Sequence, residues 1–129
     1  MTPDPASIDE IATSWMAACK AFDNDRILEH VSADATIWFN FQQVDHDRAG
    51  YRKMLDDAAG YMANRHYEDL RVQRHANGFL EQATLVGEIN GKTARTPFLL
   101  VATVADGKIC RIEEYFDTTI VNEASKADE

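Results

Sequence analysis

The chain has 129 residues, and its 13 Lys and Arg against 22 Asp and Glu leave a formal charge of −9, which repels nucleic acid and anionic membranes, so neither is expected as a partner. The length suits a single domain, 1–129, that buries roughly two thirds of the surface exposed by the unfolded chain, enough for a core and a small pocket. No apolar run approaches about 18 residues and no secretory leader pattern is present. The expectation is therefore a soluble cytoplasmic protein, with Cys19 and Cys110, which lack C-x-x-C spacing, as reduced thiols.

Ser7-Ile8-Asp9-Glu10 reads as a capping box, and Ile8, Ile11, Ala12, Trp15, Cys19 and Phe22 follow at helical spacing, predicting a first helix over 7–22. Asp23-Asn24-Asp25 interrupts it and offers a new N-cap to a short second helix through Ile27, Leu28 and Val31, ending near Ser32. The β-branched and aromatic run 35–41 predicts the first strand. A polar loop over 42–47 follows. Asp47 then caps a third helix whose buried stripe is Tyr51, Met54, Leu55, Ala58 and Met62. From Tyr67 the pattern turns to strands, 67–75, 79–87, 93–104 and 108–117, joined by hairpin turns at Ala76-Asn77-Gly78, Asn90-Gly91 and Asp106-Gly107. The polar tail, 119–129, is expected to fray, with Ile120 and Val121 available to a partner. Helices followed by an antiparallel meander define an α+β layout, a curved sheet wrapped around three helices of the N-terminal half with a pocket at its mouth.

The last strand holds the most informative residue. Alternation after Asp106-Gly107 places Cys110, Ile112, Glu114 and Phe116 on one face, so a carboxylate stands in the middle of an apolar row. Either Glu114 lies at an edge, paired with Arg111 or Arg95, or it lies beneath Trp38, Ile112 and Phe116, where desolvation raises its pKa toward neutrality and makes it a usable general base. Asn40, in the otherwise apolar segment 37–41, asks for a hydrogen-bond partner, either within the fold or on a ligand. His30, His46, His66 and His75 show no metal-binding spacing, and no metal or cofactor is expected. His66, at a helix–strand junction, is the acid partner to watch for Glu114, with a surface or capping role as the alternative.

The element order, with the wording Asp34-Ala35-Thr36-Ile37, Asp106-Gly107-Lys108-Ile109 and Glu114-Tyr115-Phe116-Asp117, resembles the nuclear transport factor two-like superfamily and its SnoaL-like and limonene epoxide hydrolase-like branches. In ketosteroid isomerase, of the same superfamily, an aspartate is the base, and a tyrosine and a protonated aspartate hold the oxyanion. Those positions fall at Phe39, Trp15 and Leu100, so the resemblance implies no ketosteroid isomerase chemistry. Limonene epoxide hydrolases hold a water with a tyrosine, an asparagine and an aspartate, and protonate the ring oxygen with an arginine–aspartate pair. Here the asparagine position matches Asn40 and the water-activating carboxylate matches Glu114, while Trp38 replaces the tyrosine and the donor pair falls at Gln82 and Thr84.

What the resemblance implies is a cofactor-independent enzyme acting on a small lipophilic molecule by isomerisation, cyclisation, dehydration or hydrolysis. Glu114 is its expected general base and Asn40 orients a water or carbonyl. Trp15, Trp38, Phe98, Leu100, Ile112 and Phe116 shape the pocket, and His66, Gln82 and Thr84 supply polar contacts. The alternative is a non-catalytic ligand-binding or dimerisation module. A homodimer is expected in either case, because Leu99, Val101 and Tyr115 leave the outer sheet face apolar.

Overall fold

In the computed structural model, which describes residues 3–126, the first helix, α1 (Pro5–Lys20), begins two residues ahead of the predicted capping box. Pro5 occupies its first turn, where the missing N–H needs no partner, and Asp4 is the N-cap without a side-chain bond, so Ser7 and Glu10 lie inside the helix. Its apolar stripe, Ile8, Ile11, Ala12, Trp15, Ala18 and Cys19, is buried. Asp23 accepts the Arg26 N–H and starts α2 (Asn24–Glu29). The strand β1 (Val31–Phe39) begins four residues earlier than predicted, because Val31 pairs in parallel with Ile109 instead of continuing the helix. Arg48 closes the end of α2, donating to the carbonyls of Leu28 at 2.8 Å and Val31 at 3.2 Å.

The predicted loop contains a two-residue strand, β2 (Asp45–His46), on Ile37 and Trp38. Asp47 caps α3 (Arg48–Tyr61), accepting the Gly50 N–H at 2.8 Å. Four long strands follow, β3 (Ala63–His75), β4 (Gly78–Ile89), β5 (Lys92–Ala105) and β6 (Lys108–Phe116). They complete a six-stranded sheet in the order β2-β1-β6-β5-β4-β3, antiparallel except for β1 against β6. The fold is α+β, with the sheet curved around the helices of the N-terminal half. The polar tail carries a further helix. Asp117 accepts the Thr119 N–H at 3.0 Å and caps α4 (Thr118–Ser125), which packs on β5 and β4. Residues 127–129 and the side chains of Ile120 and Val121 lie outside the described residues.

Turns and bulges set the register. Asn90-Gly91 and Asp106-Gly107 both adopt left-handed φ at each position, the geometry of tight primed hairpin turns. The Ala76-Asn77 turn does not, and Gly78 is required for a different reason: a Cβ there would stand 1.9 Å from the Ala102 carbonyl oxygen. Irregularities in β3 flank Asn64 and Asp69, both with positive φ, and curve the strand. The register shift at Thr103 and Val104 of β5 leaves Cys110 of β6 as the extra residue, so Ile109 takes its predicted place on the inner face beside Ile112, Glu114 and Phe116. Trp15, Ile37, Phe79, Ile109 and Ile112 are almost completely buried, each worth roughly 1.5–3 kcal/mol of transfer free energy.

Candidate active site

The concave face of the sheet and the stripe of α3 enclose a cavity of about 380 Å³. This explains why Met54, Leu55 and Ala58, expected as core, are only half-buried: they face the cavity, and Tyr51 is the α3 residue that is fully packed. Cross-strand register sets Val72, Glu81, Leu100, Glu114 and Phe39 in one transverse row, and the last four line the cavity. Glu81 and Glu114 therefore flank Leu100, two strands apart, at a backbone spacing of roughly 10 Å.

Both carboxylates are buried, at 1% and 7% exposure, and no cation pairs with either among the described residues. Glu81 Oε2 accepts the Trp15 indole N–H at 2.7 Å. Glu114 Oε1 lies 3.4 Å from the Tyr51 hydroxyl, a long and weak donation. Burial disfavours the ionised forms, so Glu81 is raised to about 7, against the pull of the Trp15 hydrogen bond. Burial, with the nearby Glu81 charge adding to it, raises Glu114 to about 8, although the Tyr51 hydrogen bond opposes the rise. Near neutral pH both are partly protonated, Glu114 more than Glu81, and their titrations belong to the pair. Burial also pushes Tyr51, Tyr67 and the Cys19 thiol well above their ordinary values, so the phenols remain donors and the thiol is a poor nucleophile.

Of the residues expected at the site, Glu114, Trp15, Phe98, Leu100 and Phe116 line this cavity. The others do not. Asn40 is occupied within the fold: its Nδ2 donates to the Phe116 carbonyl at 3.1 Å and its Oδ1 accepts the Phe116 N–H at 2.9 Å, carrying the β1–β6 ladder one residue past the end of β1. Trp38 lies on the opposite sheet face, packed edge-on against Tyr115 at 5.3 Å, and Phe39 takes the inward position. His66 is exposed and pairs with Glu68 at 3.4 Å. Gln82 and Thr84 are one residue out of phase with Glu81 and Ala83 and point away, and Ile112 is sealed in the core. Among the described residues no three His, Cys, Asp or Glu side chains converge as a metal site.

Around the carboxylates, Glu81 and Tyr51 were missed as site residues. Glu81 shares its strand phase with Phe79 and Ala83, the same signal that marks Glu114, so alternation was sufficient to find it. Tyr51 had no comparable mark, because a tyrosine in a helical apolar stripe reads as core.

A family profile for the SnoaL-like domain matches residues 12–112. The chain belongs to the SnoaL-like family. No curated protein matches it significantly. Among solved structures it is similar to a candidate polyketide cyclase of Xanthomonas campestris, with 17% identity, a TM-score of 0.82, and coverage of 94% of this chain and 98% of that one. A candidate hydroxylase of Streptomyces galilaeus aligns with 13% identity, a TM-score of 0.81, and coverage of 97% and 89%. A Catenulispora acidiphila protein with a ketosteroid isomerase-like fold, in complex with trimethylamine, aligns with 18% identity, a TM-score of 0.75, and coverage of 90% and 92%. At these identities the likeness establishes the shared fold, and none of the comparisons separates out an epoxide hydrolase branch.

Proposed function

We propose that the protein is a cofactor-independent enzyme that moves a proton on a small lipophilic substrate, with the Glu81–Glu114 pair as its acid and base. The supporting observation is the pair itself, two buried carboxylates facing an apolar cavity without a cation between them. Glu81, favoured as the anion by the Trp15 N–H, takes a proton from an acidified carbon or a water. Glu114, still protonated at neutral pH, gives one to the oxygen where negative charge develops, and once ionised it serves as the general base for the return transfer. Isomerisation, cyclisation, dehydration and hydrolysis all use such an exchange. The aromatic walls, Phe98, Phe116 and Tyr67, fit a planar or polycyclic substrate of terpenoid, steroid-like or polyketide type.

A screen of such compounds with wild type, Glu114→Gln and Glu81→Gln tests the reading. Turnover should fall by roughly 10²–10⁴ in either variant. Equal turnover by all three would remove the pair from the mechanism, and tight binding without any turnover would replace the enzyme by a ligand-binding module. The open cavity and the burial of Glu114 support the enzyme. We further propose a homodimer formed through the outer sheet face, where Tyr115 is 40% exposed and Trp38, Leu99 and Val101 are half-buried. Light scattering that finds a monomer at micromolar concentration would contradict it.

A further inference from the structure

Two polar groups of the cavity have no part in the carboxylate pair. Thr96, on β5, is 1% exposed, and its hydroxyl is the one buried side-chain oxygen or nitrogen among the described residues without a hydrogen-bond partner. A buried hydroxyl left unpaired costs roughly 1–3 kcal/mol, so such an orphan on a residue that lines the cavity points to an acceptor or donor brought by a ligand. Arg65, on β3, lines the same cavity, and no carboxylate pairs with it among the described residues. Its guanidinium lies 4.3 Å from the centre of the Phe22 ring, and partial burial pulls its pKa below the ordinary value. Phe22 is itself fixed by stacking on Tyr67 at 5.1 Å, so the cation rests on a rigid aromatic pair.

Sheet register places both groups at one end. Tyr67, Leu85 and Thr96 form a transverse row, and Arg65 stands two residues before Tyr67 in β3 and lines the same cavity. The row of Glu81 and Glu114 crosses β5 at Leu100, four residues from Thr96 and so roughly 13 Å along the strand. Phe98 and Phe116, stacked at 5.3 Å, lie between. The cavity thus has a proton-transfer end and a cationic, hydrogen-bond-donating end, separated by an aromatic wall.

We infer that the Thr96–Arg65 end is a recognition site for the carboxylate of a lipophilic acid, which it anchors while the opposite end of the molecule reaches Glu81 and Glu114. The inference rests on the cavity being the substrate site. A carboxylate there accepts from the Thr96 hydroxyl and pairs with a partly desolvated guanidinium, the stronger kind of hydrogen bond, and the aryl or alkyl body takes the apolar wall. A neutral analogue with the same shape keeps the Thr96 contact and loses the ion pair.

Biphenyl-4-carboxylic acid and its isosteric carboxamide serve as probes, with binding followed by calorimetry at pH 7. Wild type should bind the acid about tenfold or more tighter than the amide, in line with charge-assisted bonds being worth more than neutral ones. Arg65→Met, which keeps the stem over Phe22, should abolish that preference, Thr96→Val should weaken both probes, and Glu114→Gln should preserve the preference. Equal binding of acid and amide by wild type, binding of neither, or a preference that survives Arg65→Met would overturn the inference. Loss of the preference alongside a lasting effect of Glu114→Gln on turnover would sink this inference alone. A preserved preference with turnover indifferent to Glu114→Gln would sink the catalytic reading alone.

Discussion

Replacing Glu114 by Gln should make the protein more stable, by a margin that opens above about pH 4.5 and is full from about pH 8 upward. The glutamate is 7% exposed and its pKa is raised from 4.5 to about 8 by burial and by Glu81. In the unfolded chain it loses its proton near pH 4.5, while the folded chain holds that proton to about pH 8. Between those values the native state binds more protons, so native stability falls as pH rises through the window and levels off above it. At roughly 1.36 kcal/mol per pH unit, the gap sets an upper figure of about 5 kcal/mol for the penalty at pH 8 and above. Glutamine is neutral throughout and can still meet the Tyr51 hydroxyl, so the variant escapes the penalty. Urea unfolding followed by indole fluorescence, at pH 4.5 and pH 8.5, measures it. The variant should be within about 1 kcal/mol of wild type at the lower pH and ahead by roughly 3–5 kcal/mol at the higher. A stability difference independent of pH would mean that Glu114 is not desolvated, and the acid–base account would lose its physical basis.

Other perturbations read the same site from its neighbours. Turnover should follow a bell-shaped pH profile with limbs near 7 and 8, belonging to the pair and not to one residue; a flat profile over pH 6–9 counts against it. Trp15→Phe removes the donor that favours ionised Glu81, so the acidic limb should move to higher pH, which the same profile records. Asn40→Ala should cost roughly 1–3 kcal/mol in urea unfolding through the two lost bonds to Phe116, with Km unchanged; a raised Km would restore a substrate role to Asn40. Gly78→Ala should lower stability by roughly 3 kcal/mol or more in the same assay, because its Cβ meets the Ala102 carbonyl.

The helices and hairpins were legible because their signals are local. Asn90-Gly91 and Asp106-Gly107 announce the turns, Asp23 and Asp47 announce the caps, and the apolar periods mark the buried faces. Glu114 was legible for the same reason, as a charge out of place in an apolar row. What failed was phase. The irregularity at Asp69 switches the inward residues of β3 from Arg65 and Tyr67 to Leu70 and Val72, which is why that strand alternates weakly in sequence and why Arg65 escaped notice. Cys110 is displaced by the bulge in β6, which no residue type advertises. Gln82 and Thr84 were placed by likeness to another enzyme, one residue out of step with the strand's own pattern. Asn40 illustrates a different limit: its need for a partner was readable, but whether the partner is the backbone or a ligand depends on a strand 76 residues away. The short strand β2 and the helix α4 owe their existence to the sheet they pack against, and a polar local composition hides both.

The most direct measurement of the central claim is the titration of the Glu81 and Glu114 carboxyl carbons by NMR in the wild-type protein, with Glu81→Gln and Glu114→Gln for assignment. Two coupled transitions are expected between about pH 6 and pH 9, with a lower value for Glu114 once Glu81 is neutral. Two independent transitions near the ordinary 4.5 would contradict it.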